Sequence, residues 1–208
     1  MINITELKNN SHFVPRFTEL EQLDYIPGIW INGKSYWLQD STEKVIYDEA
    51  VMLNVKQEQI HSKIRLFNHF ISNHSDEQKE LKVLGMHHYS NLSKEQFTFI
   101  APAENVIYHL NNSQIFLVNG QYGTAGIKDY TIQPFWNVFT DEMWSNQEKG
   151  ILKFQPLAKG HCASVLTFDI TLNPHETVKL STWNIKGKTK RELLTLNKAL
   201  LKNRLAFQ

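Results

Sequence analysis

The sequence predicts a mainly β protein, a large antiparallel β-sandwich with one C-terminal α-helix. Most of the chain alternates apolar and polar residues in period two, which is the pattern of strands with one buried face. The apolar segments recur at intervals of roughly 8 to 14 residues with turn-rich pieces between them, as in antiparallel sandwiches rather than βαβ proteins. A sandwich of this kind can occupy all 208 residues as a single domain, residues 1–208.

The N-terminal part, residues 1–42, departs from this alternation and predicts an irregular segment with a hairpin. Its apolar and aromatic residues are spaced unevenly along the chain. Within "GIWINGKSYWLQ", the "NGK" triplet predicts a tight turn between Trp30 and Tyr36.

The strands of the sandwich are predicted from Val51 onwards. In "VMLNVKQEQI", Val51, Leu53 and Val55 share one face and polar residues lie on the other. Further strands are expected in "SKIRLFNHFI", "ELKVLGMHHY", "QFTFIAPA", "NVIYHL", "QIFLVNG", "GILKFQPLA", "CASVLTFDITL" and "ETVKLSTWNI".

The C-terminus changes to helical spacing and predicts a helix over 188–205. Thr189 and Glu192 form an S/T-x-x-E capping box at its start. Leucines at helical spacing supply one apolar face: Leu193, Leu194, Leu196, Leu200 and Leu201. We expect this helix to pack on the sandwich or on a partner protein.

Composition excludes several classes of function. A formal net charge of +1 argues against binding nucleic acid or an anionic membrane surface. The single cysteine, Cys162, cannot form an intramolecular disulfide, and its apolar strand predicts a small buried residue rather than a nucleophile. "MINITELKNNSHF" does not have the form of a signal peptide, so we expect a cytoplasmic protein without a membrane partner.

The histidines of "VLGMHHYSNLS" do not form a metal motif. His87 and His88 alternate across a strand, so a metal ion would need further ligands such as His69 or His109 from neighbouring strands. We therefore predict neither a metal site nor a cofactor. His87 and Tyr89 share one parity, and we expect them to line a ligand-binding side of the sheet.

Residues 119–144 combine aromatic, amide and acidic residues. "NGQYGTAG" leads into a strand-like stretch rather than an amphipathic helix, so it predicts a mobile loop and not a phosphate-binding loop. Sugar sites combine flat aromatic faces with carboxylates or amides that bind hydroxyl groups. An alternative is that the aromatic residues are core and the acids mark a turn. The predicted ligand-binding residues are His87, Tyr89, Tyr122, Trp136, Asp141, Glu142 and Trp144.

Two longer stretches carry a resemblance to a known group. "SVLTFDITLNPHETVKLSTWNIKGKTKRELLTL" and "KIRLFNHFISNHSDEQKELKVLGMHHYSN" are similar to the galactose-mutarotase-like "supersandwich" that precedes the (α/α)6 barrel in some glycoside hydrolases and sugar phosphorylases. The resemblance covers roughly residues 43–205. It implies a sandwich that supports, dimerises or lines a sugar site, whereas the catalytic acids of such enzymes belong to the barrel.

Three hypotheses about function follow. The first is a non-catalytic, carbohydrate-associated sandwich that binds a glycan or a partner through one sheet face and the 119–144 loop. The second is a sugar epimerase, mutarotase or lyase-like enzyme on the same fold, which would use sheet histidines and a carboxylate. The third is a structural module that forms a homo-oligomer or binds a partner protein. No motif assigns a catalytic residue, so we favour a protein that is not an enzyme.

Overall fold

The computed structural model describes residues 22–90, 95–111 and 114–205, with side chains described up to residue 202. It confirms the predicted antiparallel β-sandwich. A five-stranded sheet and an eight-stranded sheet pack face to face, and neither closes into a barrel. In spatial order, the small sheet contains β10 (Asp129–Pro134), β14 (Cys162–Leu172), β6 (Lys79–Tyr89), β1 (Leu23–Ile31) and β2 (Lys34–Trp37).

The large sheet consists of the remaining long strands and two short ones. In spatial order it contains β13 (Leu157–Lys159), β7 (Phe97–Ala101), β8 (Val106–Leu110), β9 (Ile115–Gln121), β15 (Thr177–Gly187), β5 (Ile64–Asn73), β4 (Val51–His61) and β3 (Glu43–Ile46). Every pairing within both sheets is antiparallel.

The main core lies between the two sheets, where alternate residues of each strand point inwards. In β6, Leu81 and Val83 face the large sheet and belong to this core. The residues of opposite parity, Leu84 and Met86, face the other way and are also fully buried. Both faces of β6 are therefore covered, which explains its long apolar run.

Residues 135–152 cover the outer face of the small sheet and are called the cap. The cap consists of two 3₁₀ helices, Phe135–Phe139 and Asp141–Met143, and a two-stranded hairpin of β11 (Trp144–Asn146) and β12 (Ile151–Leu152). Its buried side chains include Val138 and Met143, which pack on Leu84 and Met86. This packing fixes the cap next to the first residues of β1.

The helix α1 (Lys190–Leu205) packs on the outer face of the large sheet. Leu193 and Leu200 lie against Trp183, whose indole Nε1 donates a 2.9 Å hydrogen bond to Oδ1 of Asn197. The predicted helix and its packing on the sandwich are confirmed. Within the described ranges, no helix is long and apolar enough to cross a membrane.

The capping box at the start of α1 is present. The backbone N–H of Glu192 donates to Oγ1 of Thr189 at 3.3 Å, and the Glu192 carboxylate accepts from the backbone N–H of Lys188 at 3.1 Å. Glu192 also forms an ion pair with Lys63 of the β4–β5 turn. The side-chain hydrogen bond from Lys63 and the backbone hydrogen bond from Lys188 lower the pKa of Glu192.

The prediction of an irregular segment over residues 1–42 was wrong for residues 23–27, which form the first half of β1. Strand β1 begins at Leu23 and pairs with β6 along most of its length, so it belongs to the sheet itself. The predicted hairpin is confirmed, with Asn32 and Gly33 at φ 48° and 77° in its turn. The irregular segment over residues 1–21 lies outside the described residues.

Two further segments differ from the predictions. Residues 119–144 are not one loop, because Asn119 to Gln121 end β9 and Asp129–Pro134 form an edge strand paired with β14. "GILKFQPLA" does not form one strand but contributes β12 to the cap hairpin and β13 to the large sheet. Its middle includes Pro156, which has no backbone N–H to donate to a sheet.

Candidate functional site

Strand β6 sends its two adjacent histidines to opposite sides of the small sheet. His87 points between the sheets and is 0% exposed, whereas His88 points towards the cap and is 9% exposed. This arrangement follows from the alternation of a strand. Only His88 borders a space that a ligand can enter.

An open cleft of about 870 Å³ lies between the cap, the first residues of β1 and residues 38–41 after β2. Strand β2 pairs with β1 from Gly28 to Ile31, and one further backbone hydrogen bond joins the Leu38 N–H to the Pro27 carbonyl oxygen at 2.8 Å. The volume falls within the roughly 300–1,000 Å³ typical of ligand pockets. The cleft therefore lies beside the part of β1 that precedes its pairing with β2.

One wall of the cleft is aromatic. Phe135, Trp136 and Phe139 line it from the first 3₁₀ helix of the cap. Trp136 is 69% exposed, and its ring stands edge-on to Phe135 with centroids 5.0 Å apart. An indole held in this way presents a flat apolar face to a ligand, and its edge-on contact with Phe135 holds the ring in place.

His88 lies at the inner end of the cleft, with its ring centroid 4.5 Å from that of Phe135. Its Nδ1 is 3.1 Å from the carbonyl oxygen of Tyr89. Because a carbonyl only accepts, Nδ1 of the neutral ring carries the proton and Nε2 is the acceptor. The imidazole is thus oriented by the backbone and keeps one nitrogen that can accept a proton.

His161 extends this aromatic cluster. Its ring centroid is 4.7 Å from that of Phe135 and 6.1 Å from that of Trp136. Burial lowers the pKa of His161, and the nearby His88 lowers it further. His161 is therefore mostly neutral at pH 7 and supports the aromatic wall without adding a charge.

The opposite side of the cleft carries charges of both signs. Asp24 and Asp40 bring carboxylates, and Arg65 reaches the cleft from the large sheet. The Asp24 carboxylate accepts a hydrogen bond from the Ser90 hydroxyl, and Arg65 donates to the carbonyl oxygen of Leu23 at 3.0 Å. Burial lowers the pKa of Arg65, and the negative charge of Asp24 raises it by a smaller amount. The cleft thus offers hydrogen-bond acceptors and a fixed cation.

The interior between the sheets holds a second set of polar side chains, which solvent does not reach. Nδ1 of His109 is 3.1 Å from the Thr98 hydroxyl and its Nε2 is 2.7 Å from the Ser164 hydroxyl. Neither ring nitrogen of His87 has a hydrogen-bond partner among the described residues. Burial lowers the pKa of His109 to about 3 and that of His87 well below its ordinary value.

The structure places one of the seven predicted ligand-binding residues in the cleft, namely Trp136. His87 and Tyr89 are buried between the sheets, and Tyr122 packs at the edge of the same core. Trp144 belongs to the cap and is 7% exposed, with its ring centroid 6.3 Å from that of Trp30.

Asp141 and Glu142 lie on the exposed surface of the second 3₁₀ helix of the cap. The amide of Asn137 donates a 3.4 Å hydrogen bond to Glu142, and neither acid lines the cleft. Their adjacency in the sequence does not place them across a cleft from one another.

Sequence reasoning missed Asp24, Asp40 and Arg65. These residues come from different segments, and nothing in the local pattern links them. His88 was not among the predicted ligand-binding residues and entered only the enzyme hypothesis, as one of the sheet histidines. Among the described residues, no group of three or more histidine, cysteine or acidic side chains is arranged to hold a metal ion.

The fold and the site define a β-sandwich protein with an aromatic cleft beside its smaller sheet. The sequence matches no family model and no curated protein. The structure is similar to a polysaccharide lyase (TM-score 0.49, 9% identity, 81% of this chain) and to a putative kojibiose phosphorylase from the human microbiome (TM-score 0.43, 9% identity, 89% of this chain). This chain spans 26% of the length of each.

Proposed function

We propose that the protein is a carbohydrate-binding β-sandwich protein and that its glycan lies in the cleft against Trp136. The observation that carries this proposal is the position of Trp136. The indole is 69% exposed, supported by Phe135, and faces a cleft that also contains carboxylates and a guanidinium group.

This combination suits the two kinds of surface that a sugar ring presents. The C–H face of a pyranose is apolar and stacks on an indole. Its hydroxyl groups donate to carboxylates such as Asp24 and Asp40 and accept from donors such as Arg65. Nε2 of His88 adds an acceptor at the inner end of the cleft.

Titration of intrinsic tryptophan fluorescence with a panel of oligosaccharides tests the proposal. We expect at least one sugar to shift the emission saturably, and Trp136→Ala to raise its Kd about tenfold or more. Removing the aromatic partner of a stacked nucleobase costs about 1–3 kcal/mol, and we expect a loss of similar order for a stacked sugar ring.

The matched control is Phe154→Ala, because Phe154 is 68% exposed and does not line the cleft. This variant should bind like the wild type, as followed by calorimetry. The proposal fails if no sugar binds at millimolar concentration, or if both variants lose binding equally.

A second candidate is an enzyme that moves a proton on a sugar, and the orientation of His88 favours it. The Tyr89 carbonyl fixes the proton on Nδ1, so Nε2 can act as a general base towards a group in the cleft. Proton exchange at the carbon next to the carbonyl of the open-chain sugar, followed by NMR, would be abolished in His88→Gln. The exposed His74 provides the control His74→Gln, and activity that survives in His88→Gln excludes this role.

A further inference from the structure

A second, smaller cavity lies at one end of the sandwich, and Arg65 lines both this cavity and the larger cleft. It has a volume of about 70 Å³ and opens between the β4–β5 turn and the ends of β9 and β15. Leu23 and Phe116 form its apolar side. By the measure that about 10–15 Å³ holds one water, it has room for several waters or one small oxyanion.

The charged residues that line this cavity are all cationic. They are Lys63, Arg65 and Lys186, and no acidic residue is among its described lining residues. Lys63 forms an ion pair with Glu192, which lies outside the lining, and Arg65 is influenced by Asp24. Lys186 has no ion pair with any described residue. The cavity therefore has a positive potential and one cation that is not neutralised locally.

A buried amide adds a donor to the same cavity. Asn184 lines it from β15 and is 2% exposed. Its Nδ2 has no hydrogen-bond partner among the described residues. A buried donor without a partner is costly, so an acceptor supplied by a ligand at this cavity would remove that cost.

We propose that this cavity binds the oxyanion group of a small ligand, namely a phosphate, a sulfate or a carboxylate. The Asn184 amide would donate to one oxygen, and Lys186 and Arg65 would supply charge-assisted hydrogen bonds. Its size admits the anionic group, and Leu23 and Phe116 offer an apolar contact for the atoms beside it. The inference does not depend on whether the larger cleft binds a sugar.

Thermal unfolding of the full chain tests the proposal, in a buffer without oxyanions and at ionic strength held constant with chloride. Inorganic phosphate, sulfate and acetate are the probes. We expect at least one to raise Tm saturably, because a ligand that binds only the folded state stabilises it. Lys186→Gln should raise the Kd of that anion about tenfold or more, since it removes a charge-assisted hydrogen bond.

Two further variants provide a direct test of Asn184 and a control for the loss of a lysine. Asn184→Asp keeps the shape of the side chain but places an acceptor and a negative charge in the cavity, so it should abolish binding. Lys159→Gln removes an exposed lysine of β13, outside the cavity, and should bind like the wild type.

The inference is overturned if none of the three anions raises Tm beyond chloride, or if Lys186→Gln and Lys159→Gln respond alike. If Asn184→Asp fails to fold, the comparison of the two lysine variants still decides the outcome.

Discussion

Tyr25 and His69 join the two sheets across the core, with the Tyr25 hydroxyl oxygen 2.5 Å from Nε2 of His69. Tyr25 belongs to β1 of the small sheet and His69 to β5 of the large sheet. Burial lowers the pKa of His69 to about 3, so the imidazole stays neutral at pH 7. The contact is therefore a hydrogen bond between two neutral groups in the interior between the sheets.

Removal of this hydroxyl group should destabilise the fold. Tyr25→Phe leaves a buried nitrogen of His69 without its partner, which costs about 1–3 kcal/mol. Urea denaturation should show a lower midpoint with an unchanged m-value. Tyr47→Phe is the control because Tyr47 is 84% exposed, and it should shift stability by less than about 0.5 kcal/mol. Equal effects of the two substitutions would contradict a role for the contact.

Acid should destabilise the protein through its buried histidines. Their folded pKa values are lowered, to about 3 for His69 and His109, whereas unfolded histidine titrates near 6.5. The unfolded state therefore binds more protons below about pH 6.5, and stability falls as pH drops from there towards 3. Each such histidine contributes a slope of up to about 1.4 kcal/mol per pH unit in that window.

The variant His109→Gln isolates one of these contributions. Urea denaturation between pH 7 and pH 4 should give a shallower loss of stability than in the wild type. His74→Gln changes an exposed histidine and should keep the wild-type slope. A slope that is the same in all three proteins would show that the interior histidines do not govern acid unfolding.

Gly120 allows the sheets to approach closely. A Cβ atom at this position would lie 2.7 Å from Cζ of Phe168 and 3.1 Å from the carbonyl oxygen of Ser181. Gly120→Ala should therefore lower the free energy of unfolding by about 1–3 kcal/mol, as overpacking does in other cores. The control is Gly126→Ala, whose Cβ would meet only the flexible side chain of Asn105. Thermal denaturation of both variants compares them, and equal Tm values would exclude the packing argument.

The Thr189 cap should contribute measurably to α1. Its hydroxyl oxygen accepts from the backbone N–H of Glu192, so Thr189→Ala should cost about 1 kcal/mol. Thr195 lies inside the helix, where its hydroxyl donates to the Arg191 carbonyl, and Thr195→Ala should be neutral or stabilising. Chemical denaturation measures both, and a Thr189→Ala variant as stable as the wild type would reject the cap.

The local features of the fold could be predicted because neighbouring residues determine them. The turn at Asn32 and Gly33 follows from residues that adopt positive φ easily, and the start of α1 follows from the Thr189 and Glu192 pair. Alternation likewise predicts that His87 and His88 face opposite sides. These signals depend on separations of one to four residues.

Which face of a strand borders solvent could not be predicted from neighbouring residues in the same way. Strand β6 is buried on both sides, because the large sheet covers one face and the cap covers the other. The apolar pattern of Leu81 to Tyr89 is therefore nearly continuous and does not show which parity borders a cleft. His87, the predicted ligand-binding histidine, lies in the core, and His88 borders the cleft.

The sequence by itself determined most of the long strands, the hairpin, the helix and the class of residue that a sugar site would need. Only the tertiary structure decided that Trp136 meets Asp24, Arg65 and His88 around one cleft. These residues lie on different elements, and contacts such as Asp24 to Ser90 span 66 residues of chain. Such contacts depend on how sheets and cap pack, and on β2 ending at Trp37. The periodicity of two or 3.6 residues in the sequence carries no information about how the sheets and the cap pack, or about where β2 ends.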